Sequence, residues 1–319
     1  MKGKIVLAGG LLVAFVGSSH AAARPEVKYP PVDDVAYRLA KLELRVDLQA
    51  QEIASIRAQN QQLRLALSNV LAINDHVALV DVHGRPTVRF SAVNLQVVNG
   101  EGTTNTSNGT GNLIVGYDRL RGLYSGYEEV CSLGTVDYDV RVRDQAQCEA
   151  AGGKWLLDHK SGSHYLVVGD WHNYSQWGGI VTGIGNTVNA PWASVSGGSS
   201  NIASGFSASV SGGHFGTAVG PVASVSGGYL NEAIGSSSSV GGGWLGVASG
   251  SGSSVTGGHG NTASGIVSSV SGGGGNAATA DSASVSGGAV NTASGYWSSV
   301  SGGVDRTAAG THDWAGGSY

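Results

Sequence analysis

From Ser194 to Gly303 the chain repeats itself with a strict fifteen-residue period, without an insertion or deletion, and this period limits what it can fold into. Ser-Val opens each unit at Ser194-Val195, Ser209-Val210, Ser224-Val225, Ser239-Val240, Ser254-Val255, Ser269-Val270, Ser284-Val285 and Ser299-Val300. A Gly-Gly pair follows two residues after every Val, an Ala stands five beyond the second Gly (Ala203 to Ala308), and a further Gly follows except where Ala280 replaces it. Composition alone would favour a flexible linker. A linker has no reason to hold one β-branched and one small apolar residue at fixed phase. That pattern predicts a parallel β-solenoid in which each coil stacks its Val and Ala into inward columns. Glycine at fixed phase supplies positive φ or close approach between coils. At about 4.8 Å per coil, eight coils make a rod of roughly 38 Å.

Asn201, Asn231, Asn261, Asn276 and Asn291 share one phase, where stacked amides hydrogen-bond along a solenoid. Ile180, Gly183 and Asn186 fall one period before Val195, Gly198 and Asn201, so 179–193 reads as a ninth, degenerate unit. Leu113–Gly116 and Leu166–Gly169 read as matching strands, the first preceded by strand-like Thr87–Phe90 and Leu95–Val98. Between the matching strands lies an inserted finger, 117–164, carrying the chain's two cysteines, Cys131 and Cys148. They are too far apart for a redox CxxC motif, and two thiols alone make a poor zinc site. A disulfide is expected, stabilising by about 3 kcal/mol in the chain-entropy account. It implies an oxidising compartment.

That compartment agrees with residues 1–23, where Lys2 and Lys4 precede an apolar run from Ile5 to Val16 and small residues permit cleavage. We expect a signal peptide, then a linker over 24–32 and a mature protein exported to the cell surface, the exterior or the periplasm. No later segment approaches a membrane span.

Over 33–71 the period changes. Val35, Leu39, Leu42, Val46, Gln49, Ile53, Ile56, Asn60, Leu63, Leu67 and Val70 are spaced alternately by four and three, the a/d seam of a coiled coil. Such a helix runs about 55 Å. Ile53 at a and Ile56 at d favour three strands, and Asn60 at an a position fixes register. The competing reading is an amphipathic helix packed on its own solenoid. The predicted order is therefore a coiled-coil stalk, a β-rich lead-in (72–116), the finger (117–164), a solenoid head (165–310) and a tail (311–319). The fold class is mainly β, a parallel β-roll of fifteen-residue coils preceded by an α-helical coiled coil.

Repeats such as Ser254-Val255-Thr256-Gly257-Gly258-His259-Gly260-Asn261-Thr262-Ala263-Ser264-Gly265 resemble the YadA-like head repeats of trimeric autotransporter adhesins. The resemblance covers about 179–310. It implies a left-handed parallel β-roll in each of three chains, packed around a threefold axis and attaching to surfaces. Family coils are usually one residue shorter. The family also places its head before its stalk and ends in a four-stranded membrane anchor, for which 311–319 has no room. Stalk before head resembles a phage tail fibre, which ordinarily has no export signal.

Phe206, Phe215, Tyr229, Trp244, Tyr296 and Trp297 occupy variable phases and are the candidate ligand contacts, toward sugar rings or a protein partner. The alternative is that they pack between subunits. Ranked hydroxyls at Ser194, Ser209 and Ser224, with Ser196, Ser211 and Ser226, raise an ice-binding reading, although Gly241 interrupts a rank and Thr appears there only at Thr256. Polysaccharide-degrading β-helices need paired carboxylates or a base with a cation. Between Ser194 and Gly303 the acids and bases other than His are Glu232 and Asp281. Finger charges Glu128, Glu129, Asp137, Asp139, Arg141, Arg143 and Asp144 alternate in sign as on a solvated hairpin, and Asp158, His159 and His164 lack a nucleophile motif or ligand spacing. We expect no catalysis, metal or cofactor. Net charge −4 with a nearly neutral head argues against nucleic acid.

Overall fold

The computed structural model describes residues 35–121, 129–133 and 145–316. The expected signal peptide, linker and tail end, and the finger charges other than Glu129, lie outside these residues. The chain divides into two units, 1–94 and 95–319.

In the first unit, α1 (Val35–Ala66) is a 32-residue helix without one buried residue. It does not run unbroken to 71. Leu67 interrupts it, and α2 (Ser68–Asn74) follows. Ser68, a residue type that competes for backbone hydrogen bonds, suits such a break. An antiparallel hairpin comes next, β1 (Val77–Val82) and β2 (Arg85–Phe90), pairing Val77 with Phe90 and Val82 with Arg85. Its turn uses His83 and Gly84 at positive φ, and the Gly84 N–H donates to Asp81 Oδ1 at 2.8 Å. Thr87–Phe90 is thus part of a hairpin strand, whereas Leu95–Val98 lies in no strand.

The second unit is the solenoid. Its first strand, β3 (Leu113–Val115), pairs in parallel with a strand beyond the inserted segment, matching Leu113 to Leu166 and Val115 to Val168. Within the segment, β4 (Val130–Cys131), α3 (Gln145–Ala150) and β5 (Trp155–Leu156) surround the disulfide Cys131–Cys148, both cysteines buried. The segment is moored to the coils: Asn189 Nδ2 donates to the Cys131 carbonyl at 2.8 Å, and Ser175 Oγ and Gln176 Nε2 donate to that of Ser132. Next come β6 (Ser163–Asp170), β7 (Asn173–Tyr174), β8 (Trp177–Ile184) and β9 (Thr187–Val188), then two short strands per coil to the end. They form two parallel sheets, of twelve and ten strands.

Three columns fill the interior. Val195 to Val300 form one, Ala203 to Ala308 the second, and the residue before each Ser-Val pair the third: Ala193, Ala208, Ala223, Ser238, Ser253, Ser268, Ala283 and Ser298. Each buried Val contributes about 1.5–3 kcal/mol. The Asn phase closes the interior: Nδ2 of Asn201 donates to the carbonyls of Gly197 and Gly213, while its Oδ1 accepts the N–H of Gly216 in the next coil at 2.7 Å.

One expectation is corrected. The buried residue one coil before Val195 is Val181, fully covered, and Ile180 points outward at 38 % exposure. Gly183 and Asn186 do lie one full period below Gly198 and Asn201, because Val181-Thr182-Gly183 has one residue fewer than Val195-Ser196-Gly197-Gly198. The earliest coils are therefore one residue shorter than the rest: Leu166 pairs with Ile180, a step of fourteen, whereas Ser209 pairs with Ser224, a step of fifteen.

Each coil turns at left-handed corners. One phase holds Ser200, Phe215, Leu230, Leu245 and Val290, and another Trp192, Val222, Val267 and Trp297, with φ from +53 to +60°. Bulky residues rarely adopt this conformation. Here the reversed peptide aims its N–H back at the preceding coil, as from Leu230 to the His214 carbonyl and from Val222 to that of Phe206. The outer face of the twelve-stranded sheet also changes along the rod: Leu113, Leu166 and Ile180 give way to Ser194, Ser209 and Ser224.

Candidate functional site

The corner following the Gly-Gly pair carries one β-bridge column, Ile184, Ser199, His214, Tyr229, Trp244, His259, Gly274, Ala289 and Val304. Backbone hydrogen bonds fix each step, the Tyr229 N–H donating to the Gly243 carbonyl and the Trp244 N–H to that of Gly258, both at 2.9 Å. The left-handed residue beside each adds Phe215, Leu230 and Leu245. Four successive coils thus present a strip of seven side chains, all exposed, Trp244 by 52 %.

Its rings touch in sequence. His214 lies 4.1 Å from Phe215 and 5.5 Å from Tyr229, Tyr229 lies 6.1 Å from Trp244, and Trp244 lies 4.8 Å from His259. Neighbouring planes are inclined by 44–81° rather than stacked. Among the described residues, Tyr229 Oη, Trp244 Nε1 and the His259 ring nitrogens make no hydrogen bond.

The six candidate aromatics therefore divide. Phe215, Tyr229 and Trp244 come together. Tyr296 and Trp297 sit on another corner, 5.8 Å apart, with His312 stacked on Trp297 at 6.4 Å. Phe206 shares that second corner but lies six coils earlier, without an aromatic contact among the described residues. Sequence reasoning passed over His214, His259, Leu230 and Leu245, although their phases match those of Tyr229 and Phe215.

A second cluster lies where the inserted segment meets the first coils. Arg121, itself buried, donates from Nη2 to the carbonyls of Gly185 and Asn186 and to Thr187 Oγ1. Lys160 pairs with Asp118 at 2.8 Å and donates to the His172 carbonyl. Burial pushes the Asp158 carboxyl up, while the hydrogen bond from Arg119 holds Asp170 below the usual carboxylate range. A cleft of about 340 Å³ is lined by Asp158, His159 and Lys160 among others. His164, at φ +61°, has both ring nitrogens engaged by backbone, Nε2 accepting the Asn99 N–H at 3.3 Å and Nδ1 lying 3.1 Å from the Thr104 carbonyl oxygen. Among the described residues, no group of three His, Cys, Asp or Glu is placed to hold a metal ion, and no helix is long and apolar enough to cross a membrane. Neither a family model nor a curated protein sequence matches this chain.

Proposed function

We propose that this chain is an exported, fibrous, non-catalytic protein that self-associates as a homotrimer through α1 and attaches to surfaces through its solenoid, as the likeness to YadA-like head repeats implies. The observation that carries the proposal is the bare seam of α1. Leu39, Leu42, Val46, Ile53, Ile56 and Leu63 all stand exposed on a helix with no buried residue, and a seam of this length and spacing is what pairing with further copies covers. The apolar outer face of the first coils, Leu113, Leu166 and Ile180, agrees with self-association, since parallel sheets ordinarily have both faces covered. The disulfide and the N-terminal apolar run support export.

Light scattering on the mature chain tests this reading. We expect a trimer mass, falling to a monomer in Ile53→Asp/Ile56→Asp with the solenoid's circular dichroism intact. Beads coated with the trimer should attach to cell or matrix surfaces more strongly than beads coated with that variant. A monomeric mature chain would remove the proposal.

A further inference from the structure

We infer that the strip from His214 to His259 is a binding site for an uncharged glycan, its rings stacking on sugar faces along the rod. This rests on the surface-binding reading and names the ligand class for it.

The strip is local. The rings are confined to these coils, the same columns reading Ser199 and Ser200 before the strip, Gly274 and Gly275 after it and aliphatic Ala289, Val290 and Val304 beyond. Its size fits a small ligand. Seven side chains compare with the roughly 20–30 residues per side of a standard protein interface. Three coil steps span about 14 Å, the scale of a few linked sugar rings.

Charge narrows the class further. The repeats offer no Lys or Arg from Ser194 to Gly303 to meet an acidic polysaccharide or a phosphate, and the acids there are Glu232 and Asp281. An uncharged sugar matches what remains. Its C–H face packs on the inclined rings of Tyr229 and Trp244, and its hydroxyl rim meets Tyr229 Oη, Trp244 Nε1 and His259, polar tips without a hydrogen-bond partner among the described residues. Leu230 and Leu245 widen the apolar floor beside the rings.

Titration calorimetry of the full mature chain with neutral hexasaccharides of β-linked glucose, α-linked glucose and N-acetylglucosamine, and with an anionic hexauronate, tests the inference. We expect at least one neutral hexasaccharide to bind at about 1 mM or tighter, and binding to weaken by about tenfold or more in Trp244→Ala and in Tyr229→Ala while the melting temperature holds. Trp297→Ala, on the other corner, should bind as wild type. Absence of binding across the neutral panel, preference for the hexauronate, or undiminished binding by both strip variants overturns the inference. Bead attachment separates the two proposals. Attachment that survives in the doubly substituted strip together with undiminished hexasaccharide binding removes the glycan site and leaves surface binding in place, whereas strip-dependent hexasaccharide binding by a chain that attaches to nothing keeps the site and removes the adhesive reading.

Discussion

The backbone N–H of Asn186 donates to Nδ1 of His172 at 3.3 Å, so the neutral imidazole carries its proton on Nε2 and donates it to the Val168 carbonyl at 3.1 Å. One coil later Asn186 does the same with an amide, Oδ1 accepting the Asn201 N–H and Nδ2 donating to the carbonyl four residues back, that of Thr182. His172 is thus the first rung of the asparagine ladder.

This predicts acid sensitivity in the first coils. Burial pushes His172 below its ordinary range, against the opposing pull of Asp118. The unfolded chain takes up this proton near pH 6.5, the folded chain only lower. Stability from this residue is therefore full above about pH 6.5 and is lost as pH falls through the lowered folded value. Asp158, raised by burial, acts in the opposite sense, favouring the folded state as it protonates. Hydrogen exchange of amides 172–189 should accelerate from pH 7.5 to 5.5 after correction for intrinsic rates, and His172→Asn should flatten that dependence. An unchanged profile would rule it out.

The ladder has two missing rungs, Gly216 and Gly246, and the N–H groups of Asn231 and Asn261 find no side-chain acceptor there. A Cβ at Gly216 would meet Asn201 Oδ1 at 3.1 Å, a contact that small shifts relieve, and its φ is not in the left-handed region. Gly216→Asn should stabilise by about 1–2 kcal/mol, and Asn261→Ala should cost about 2–4 kcal/mol by orphaning its partners. Denaturant midpoints read both.

The two glycines of each pair have different roles. Gly243 sits at φ +88°, and a Cβ there would stand 2.3 Å from the Gly258 carbonyl oxygen, whereas one at Gly242 meets nothing within 4 Å. Gly243→Ala should cost about 3 kcal/mol or more. Gly242→Ala should stay within about 0.5 kcal/mol of wild type. Equal melting temperatures would contradict the assigned roles.

The hydroxyls of Ser238, Ser253 and Ser268 are buried without a partner among the described residues, in a column that elsewhere holds Ala208, Ala223 and Ala283. Replacing all three with Ala should be neutral or raise stability by about 1 kcal/mol per site. A drop in melting temperature would reveal a hydrogen bond at these positions.

Removing the disulfide should act locally. Cys131→Ser/Cys148→Ser loses about 3 kcal/mol of loop constraint, and among the described residues the moorings of the disulfide-bearing strand reach Ser175, Gln176 and Asn189, in the first coils. Exchange should rise over 129–133 and 145–157 and stay unchanged over 209–303.

The rod is legible in the sequence because its inward Val and Ala never change phase. What escapes is legible only in space. The missing residue between Val181 and Gly183 hides the coil boundary from a fixed period, so Ile180 reads as inward. Ladder membership cannot be found by residue identity, since imidazole nitrogens serve at His172 as amide atoms do, and Arg306 enters through its backbone N–H. The third inward column mixes Ala and Ser, a change small enough to pass for noise. His214 and His259 emerge when the corner is read by phase, not when aromatics are read by ring type.

Because every junction from Val195 to Val300 repeats one register, removal or insertion of a whole coil leaves the remaining joints of the Val column in register. Adding or removing one whole period between the moored segment and His214 would carry the aromatic strip one coil nearer or farther; a change shorter by a single residue would throw every later Val out of its column. The fold thus behaves as a ruler with interchangeable divisions, in which reach is free to vary while the chemistry of each division stays fixed.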